Sequence, residues 1–296
     1  MTYVFRALTA EPWAIDPSYL PFLAALAQRD HAHPEVQARA AEWQVRDYQL
    51  MAGPSAQPLA GTQRAFIQDG VAVIPITGPI FPRANMMTQM SGATSVASLQ
   101  ADYRVALGSP DVGAIMLLVD SPGGQVPGIA NLAALINAGA KKKLTAVQVT
   151  GSMASAAYWL GSAAQEVFLD RTAVVGSIGV VAAVPKQVEP DSEGFIGVEI
   201  VSSNAPNKRP DPESEDGQAQ IRTVLDALEA EFIADVAKFR GTTATKVKSD
   251  FQQGGVVVGS AAVAAGMADK VQSQEATQAY LARHAANQAK LAALRK

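Results

Sequence analysis

The sequence predicts an α/β fold built on a largely parallel sheet. Short apolar runs such as VGAIMLLVD and LTAVQVT alternate with stretches of helical periodicity, the pattern of strands joined by crossover helices. Two strand-to-helix junctions, SPGG at 121–124 and GSMAS at 151–155, are built of small residues. Hydrophobic residues make up 48% of the 296-residue chain and charged residues 17%, a globular composition, not a disordered one.

The elements follow in order. DPSYLPFLAALAQRD has Asp and Pro at its start and apolar residues at helical spacing, so a helix is expected there. HPEVQARAAEWQVRDYQLM reads as a second amphipathic helix, and AGPSAQPLAGTQ as a linker rich in Gly, Pro, Ser and Ala. AFIQDGVAVIPITGPI reads as two β segments around the turn signal Asp69-Gly70. FPRANMMTQMSGAT is a polar, Met-containing loop, either plain surface or the wall of a substrate channel. SVASLQADYRVALGS predicts a helix, VGAIMLLVD a buried strand, and QVPGIANLAALINAG the next helix. LTAVQVT is a strand leading into a helix from Gly151, and QEVFLD, AVVGSIGVV and GVEIVSS are further short strands. From Glu213 to Arg240 one long helix is expected, with Ile221, Leu225, Leu228, Phe232, Ile233 and Val236 on one face. A Gly-Gly turn, a short strand and a small-residue helix follow, and the tail QEATQAYLARHAANQAKLAALRK predicts a terminal helix.

Charge and residue usage exclude several functions. The formal net charge is −3 and there is no basic stripe, so nucleic acid is not an expected partner. The run Lys141-Lys142-Lys143 reads as a solvated helix end. The chain has no cysteine, which removes disulfides, thiol catalysis and cysteine-bound zinc. The N-terminal segment lacks a basic start followed by an apolar stretch, and AVVGSIGVVAAV is too short to span a bilayer. A cytoplasmic chain with no membrane association is expected.

The candidate chemistry centres on serine. SPGG follows an apolar strand and so lies at a strand's carboxyl end, where α/β sheets carry their sites. Its glycines permit close approach of a substrate carbonyl, and their N–H groups suit a developing oxyanion. The competing reading is a simple tight turn. In GSMASAAYWLGS, Ser152, Ser155 and Ser162 compete as nucleophile: Ser152 suits an N-cap, Ser162 falls nearly two turns further on, and composition alone does not choose. The only histidines are His31, His33 and His284, so a Ser-His-Asp triad in the central region has little to draw on. A lysine can act as a base when it is withdrawn from water. Lys208 lies in SSNAPNKRPDP among Pro206, Pro210 and Pro212, in an extended stretch that alone reads as ordinary surface.

Taken together, VDSPGG, MASAAYW, VGSIGVV, SSNAPNKRPDP and GGVVVGSAAVAAGMADKV, in that order, resemble the signal peptide peptidase A (protease IV-like) family of Ser–Lys peptidases. The likeness is to the shorter phage and prophage branch with its head-maturation proteases, and it runs from about Phe66 to Val271. It implies a Clp protease/crotonase-like spiral of βαβ units with flanking helical arms. The corresponding division is residues 1–60 as a helical extension and linker, 61–272 as the peptidase domain and 273–296 as a C-terminal helix.

The resemblance further implies Ser155 as nucleophile, Lys208 as general base, and the backbone of Gly123 and Gly124 as oxyanion donors. Ser177 would line the substrate cleft or hold the lysine amine, and no metal or cofactor is called for. The implied partners are a polypeptide substrate, such as phage scaffold or capsid protein, and further copies of the chain in a ring whose sites are shared between protomers. The implied setting is the cytoplasm of a bacterium or phage-infected host, or a phage prohead. Two departures from the family pattern stand out. Ala156-Ala157 replaces Gly-Gly after the serine, and the lysine loop needs one inserted residue to reach Lys208, with Lys186 as substitute. Rival readings are a bacterial cytoplasmic peptidase of the same family, a crotonase-type acyl-CoA enzyme, and a catalytically degenerate capsid-associated protein.

Overall fold

The computed structural model describes residues 12–20, 23, 48–53, 55–84, 92–184 and 201–294. Its centre is a run of parallel strands. β1 is Trp13–Ile15, β2 Gln57–Pro58, β3 Phe66–Gln68, β4 Val71–Thr77, β5 Ile80–Phe81 and β6 Thr94–Ser95. Helix α1 (Val96–Gly108) leads to β7 (Ala114–Ser121), β8 (Gly123–Gln125), helix α2 (Ile129–Ala140) and β9 (Thr145–Ala154). Helix α3 (Ala156–Ser162), β10 (Glu166–Leu169) and β11 (Val174–Gly176) follow. After them come α4 (Glu215–Phe239), α5 (Ala244–Asp250), β12 (Val256–Val258), α6 (Ser260–Ala265), β13 (Lys270–Val271) and α7 (Gln274–Leu294).

Among the described residues the main sheet has nine strands, ordered β12-β11-β9-β7-β4-β3-β2, with β10 beside β9 and β13 beside β10. β4, β7, β9 and β10 are parallel neighbours joined by α1, α2 and α3, the expected βαβ units. The β3–β4 hairpin turns on Asp69 (φ 51°) and Gly70 (φ 74°), two consecutive left-handed residues that suit a tight hairpin.

Both faces of the sheet are covered at its centre, so β4 and most of β7 run as continuous apolar stretches. On β7, Ile115, Leu117 and Val119 face a cluster that takes in Leu99 of α1, Leu132 of α2 and Trp159 of α3. Ala114, Met116 and Leu118 face a second cluster with Tyr48 and Leu281 of α7. The fold is of the Clp protease/crotonase type, as the resemblance implied.

Four local readings change. Gly123–Gln125 is not only a turn: it is a strand of a second sheet, ordered β1-β8-β5-β6. The expected linker contributes β2, whose Gln57 and Pro58 pair with Ile67 and Phe66. Lys143 is not fully solvated. Its Nζ donates to the carbonyls of Ala106 (3.1 Å) and Ser109 (2.9 Å) at the end of α1, where such carbonyls lack helical partners, and burial lowers its pKa. Helix α4 buries Phe232, Ile233 and Val236, but Ile221, Leu225 and Leu228 are only half-buried and Val224 is 55% exposed. The first helix expected, over 16–30, falls largely outside the described residues, apart from a 3₁₀ turn at Pro17–Tyr19 capped by Asp16. So do most of the helix before residue 48, the centre of the Met-containing loop, Lys186 and most of GVEIVSS, whose described residues 201–203 are not a strand.

Candidate active site

The carboxyl ends of β7, β9 and β11 meet at Ser155. β9 pairs with β7 on one side. On the other it pairs with β10 along Ala146–Val149, and with β11 along Ser152–Ala154. It therefore runs past the sheet core and delivers its next residue, Ser155, to a corner between three strand ends.

The corner is sharp. Ser155 takes φ 53° and ψ −119°, a conformation that an L-residue with a Cβ adopts only under constraint. The constraint is visible on both sides. Ser155 N donates to Gly176 O at 2.7 Å, and its carbonyl accepts the first turn of α3 from Trp159 N at 2.9 Å. A serine on a strained strand-to-helix turn has its hydroxyl pushed out of the helix, the device by which α/β enzymes present nucleophiles. Its Oγ donates to Gly179 O at 3.4 Å.

The other two serines separate cleanly. Ser152 is inside β9, paired with Val174, and is not the N-cap. Ser162 is buried, with its hydroxyl donating to Trp159 O at 2.9 Å, a packing role. The Ala156-Ala157 departure is accommodated because both alanines open α3 fully buried in the main core cluster. Behind them, Trp159 stacks on Phe232 of α4 at 4.5 Å, and its Nε1 donates to Asp235 Oδ2 at 2.9 Å.

The glycines of β8 lie directly against the serine. A Cβ on Gly123 (φ 100°) would sit 2.9 Å from Ser155 Cβ, so only glycine fits there. Gly123 N donates to Ser121 Oγ at 3.2 Å, and Ser121 Oγ donates onward to Gly78 O at 2.7 Å. A Cβ on Gly124 would meet Ile80 O of the neighbouring strand at 2.0 Å. Ser177 is also left-handed, at φ 54°, and buried, with its N–H donating to Gly255 O at 2.7 Å.

Lys208 is not brought to Ser155 within this chain. It ends a 3₁₀ turn (Pro206–Lys208) in the loop before α4, and its side chain is exposed. Among the described residues no group of three or more His, Asp or Glu is set to hold a metal, and no helix is long and apolar enough to cross a membrane.

Peptidase family S49 matches residues 137–288, more than half of the chain, from within α2 to within α7. The chain belongs to peptidase family S49. The S49 chain is 24% identical over 279 residues to the head-tail preconnector protein GP5 of Enterobacteria phage P21, covering 92% of this chain and 55% of that protein. It is 28% identical over 212 residues to capsid assembly protease C of Escherichia phage lambda, covering 69% of this chain and 47% of that one. It is 41% identical over 69 residues to a putative protease of Methanocaldococcus jannaschii, 23% of this chain and 22% of that one. The S49 chain thus spans about half the length of the two phage relatives it matches.

Sequence reasoning missed four residues that support this candidate site. Gly176 and Gly179 hold Ser155 through their carbonyls, and no motif marks a carbonyl's target. Asp120 fills an irregularity where β7 and β9 slip register between Val119 and Ser121: its Oδ1 accepts from Ser152 N at 2.9 Å. Gly151 leaves room for that carboxylate, since a Cβ there would lie 2.4 Å from it. The place of Asp120 as the last residue before SPGG was the available signal.

Proposed function

We propose that this S49 chain is a serine endopeptidase that processes scaffold or capsid proteins during assembly of a phage head. The observation that carries the chemistry is the left-handed Ser155, held at the carboxyl end of β9 against the glycines of β8. The names of the phage relatives, a capsid assembly protease and a head-tail preconnector protein, support the setting.

In this reading Lys208 in its neutral form takes the proton from Ser155 Oγ as that oxygen bonds to the substrate carbonyl carbon. The carbonyl electrons move to oxygen, for which the Gly123 and Gly124 N–H groups are the assigned donors, Gly123 N turning to it from Ser121 Oγ; one such donor is typically worth about 3 kcal/mol of barrier. Collapse breaks the C–N bond, and Lys208 returns the proton to the leaving amine. Water then attacks the acyl-serine ester while Lys208 takes its proton; as the bond from the acyl carbon to Ser155 Oγ breaks and the acid leaves, Lys208 returns that proton to Ser155 Oγ. Ser177 borders the cleft. No metal enters these steps.

Lys208 is exposed in the single chain, whereas a lysine base must be withdrawn from water. This favours a homo-oligomer in which Lys208 serves the Ser155 of a neighbouring copy. The half-buried stripe Ile221, Leu225 and Leu228, with exposed Val224, supports such assembly, since it leaves apolar surface on α4 next to the Lys208 loop.

The test is cleavage of an unfolded polypeptide, followed by intact mass, with the native chain, Ser155→Ala, Lys208→Ala and an equal mixture of the two variants. Cleavage by the native chain and by the mixture, but by neither variant alone, is the expected result. Cleavage by Lys208→Ala alone would remove that lysine from the mechanism, and cleavage by Ser155→Ala would remove the serine.

A further inference from the structure

Ser155 is 0% exposed, yet a nucleophile must touch its substrate. The chain's own N-terminal segment lies along the glycines beside it. β1 lies antiparallel on β8, with Trp13 opposite Gln125, Ala14 opposite Gly124 and Ile15 opposite Gly123. Asp16 N donates to Pro122 O at 2.8 Å and Val126 N to Pro12 O at 3.2 Å. Bonded pairs alternate along an antiparallel ladder, so Ala14 and Gly124 form the bonded pair between these two. The other edge of β1 is taken as well: Trp13 and Val181 exchange both backbone bonds at 2.8 Å. Val181 lies two residues beyond Gly179, whose carbonyl accepts from Ser155 Oγ.

The strand runs over the site itself. The point where a Gly123 Cβ would stand is 2.3 Å from Ala14 O and 2.9 Å from Ser155 Cβ, so the Ala14 carbonyl and the serine flank one spot. Side chains alternate as a strand requires. Trp13 and Ile15 enter an apolar pocket with Phe81, Ala93 and Val181, where Trp13 meets the Phe81 ring edge-on at 5.8 Å. Ala14 turns the other way, into the main core cluster.

We propose that the groove between β8 and Val181 is a strand-accepting site for extended polypeptide, and that Trp13–Ile15 holds it as a competitor in cis. This rests on reading Ser155 as the nucleophile. A peptide added to the free edge of β8 gains the same ladder bonds whatever its sequence, and the pockets select its side chains. The occupant shows the selection: a small residue at the Ala14 position, between bulky apolar residues at the Trp13 and Ile15 positions. β1 is three residues long, so few ladder bonds must break for a substrate to replace it. The site is closed until a segment with this pattern arrives at sufficient local concentration.

The test is the affinity of a labelled dodecapeptide, TAEPWAIDPSYL (residues 9–20), for two full-length chains, Ser155→Ala and Ser155→Ala/Trp13→Ala/Ile15→Ala, read by fluorescence anisotropy. The expected result is binding at least tenfold tighter to the chain whose own strand lacks Trp13 and Ile15. Equal binding to both, or to neither, overturns the proposal. If circular dichroism shows the triple variant unfolded, Ser155→Ala/Trp13→Ala takes its place with the same two outcomes. In parallel, chains with Ser155 intact are treated with a fluorophosphonate and followed by intact mass. Absence of labelling in every chain would count against the serine chemistry, while tighter peptide binding by the variant would still uphold the strand-accepting groove.

Discussion

Ser155 and Gly259 share one backbone conformation at two strand-to-helix turns. Ser155, between β9 and α3, has φ 53° and ψ −119°; Gly259, between β12 and α6, has φ 52° and ψ −124°. Glycine adopts this shape freely, whereas serine does so against its own Cβ. Where the turn only reverses the chain, the sequence uses glycine; where the turn points at the glycines of β8, it keeps a hydroxyl and bears the strain.

Exchanging the two requirements should therefore have opposite effects. Ser155→Gly relieves strain of about 1–3 kcal/mol, partly offset by the greater freedom of glycine in the unfolded chain, for a net gain of roughly 1 kcal/mol. Ser155→Ala retains the Cβ and stays within about 0.5 kcal/mol of the native chain. Gly259→Ala sets a Cβ 2.2 Å from Arg171 O in the same left-handed region and should lose about 3 kcal/mol or more. Urea unfolding of the three variants measures all of these, and a loss of stability in Ser155→Gly would contradict the strain argument.

Gly124→Ala tests the second sheet. The added methyl would meet Ile80 O at 2.0 Å and Ile80 Cα at 2.6 Å, forcing β5 and β8 apart. A cost of roughly 1–3 kcal/mol is expected from overpacking. Peptide cleavage should fall at least a hundredfold at a temperature where circular dichroism shows the variant folded. An unchanged kcat would separate β8 from the reaction.

Arg240 and Asp269 tie the end of α4 to the sheet. The pair is bidentate, Nη1 to Oδ2 and Nη2 to Oδ1, both at 2.9 Å, and Asp269 Oδ2 also accepts from Val167 N of β10 at 2.7 Å. The aspartate of GMADKV thus has a structural part. The Asp269 side chain is 40% exposed, so screening moderates the pair, and Arg240→Met should cost about 2 kcal/mol. A double-mutant cycle with Asp269→Asn should give a positive coupling energy. Additivity of the two changes would show that the pair contributes nothing.

Tyr103 makes stability sensitive to alkali. Burial is the chief cause that lifts its phenol from the ordinary 10 up to about 12, while its hydroxyl shares a hydrogen bond with Thr145. The fold favours the protonated form, so the stability linked to it is whole below pH 10. It is lost as the pH rises from 10 through about 12, by roughly 2–3 kcal/mol. Burial pushes Tyr158 up as well. Tyr103→Phe should flatten, without abolishing, the decline of unfolding free energy between pH 9.5 and about 11, measured by urea titration. An identical decline in the variant would exclude Tyr103 as a source.

The parts legible in the sequence are those written in local patterns. Val71–Thr77 and Ala114–Ser121 are continuous apolar runs because helices cover both faces of their sheet. Asp69-Gly70 announces its hairpin. Gly123–Gln125 was harder to see as a strand, because glycine has low strand propensity and the segment is held by β1 and β5 from distant parts of the chain. Trp13–Ile15 carried no signal of its own: three residues between Pro12 and Asp16-Pro17 show no period, and their partners lie more than a hundred residues away. The motif marked Ser155, but not the carbonyls of Gly176 and Gly179 that hold it. For Lys208 the loop sequence describes an exposed turn, and its chemistry depends on what comes to cover that turn.

β9 is laddered along most of its length, with β7 on one side and β10 and then β11 on the other. Amides in such a strand exchange with solvent only when the whole domain opens, whereas those of an exposed surface turn exchange by local opening. In the single chain the two halves of the proposed dyad therefore belong to regions of different local stability, Ser155 to a slowly exchanging strand end and Lys208 to an exposed turn. On heating, the turn carrying the lysine gives way first, and catalysis would fade while the serine is still in its native corner.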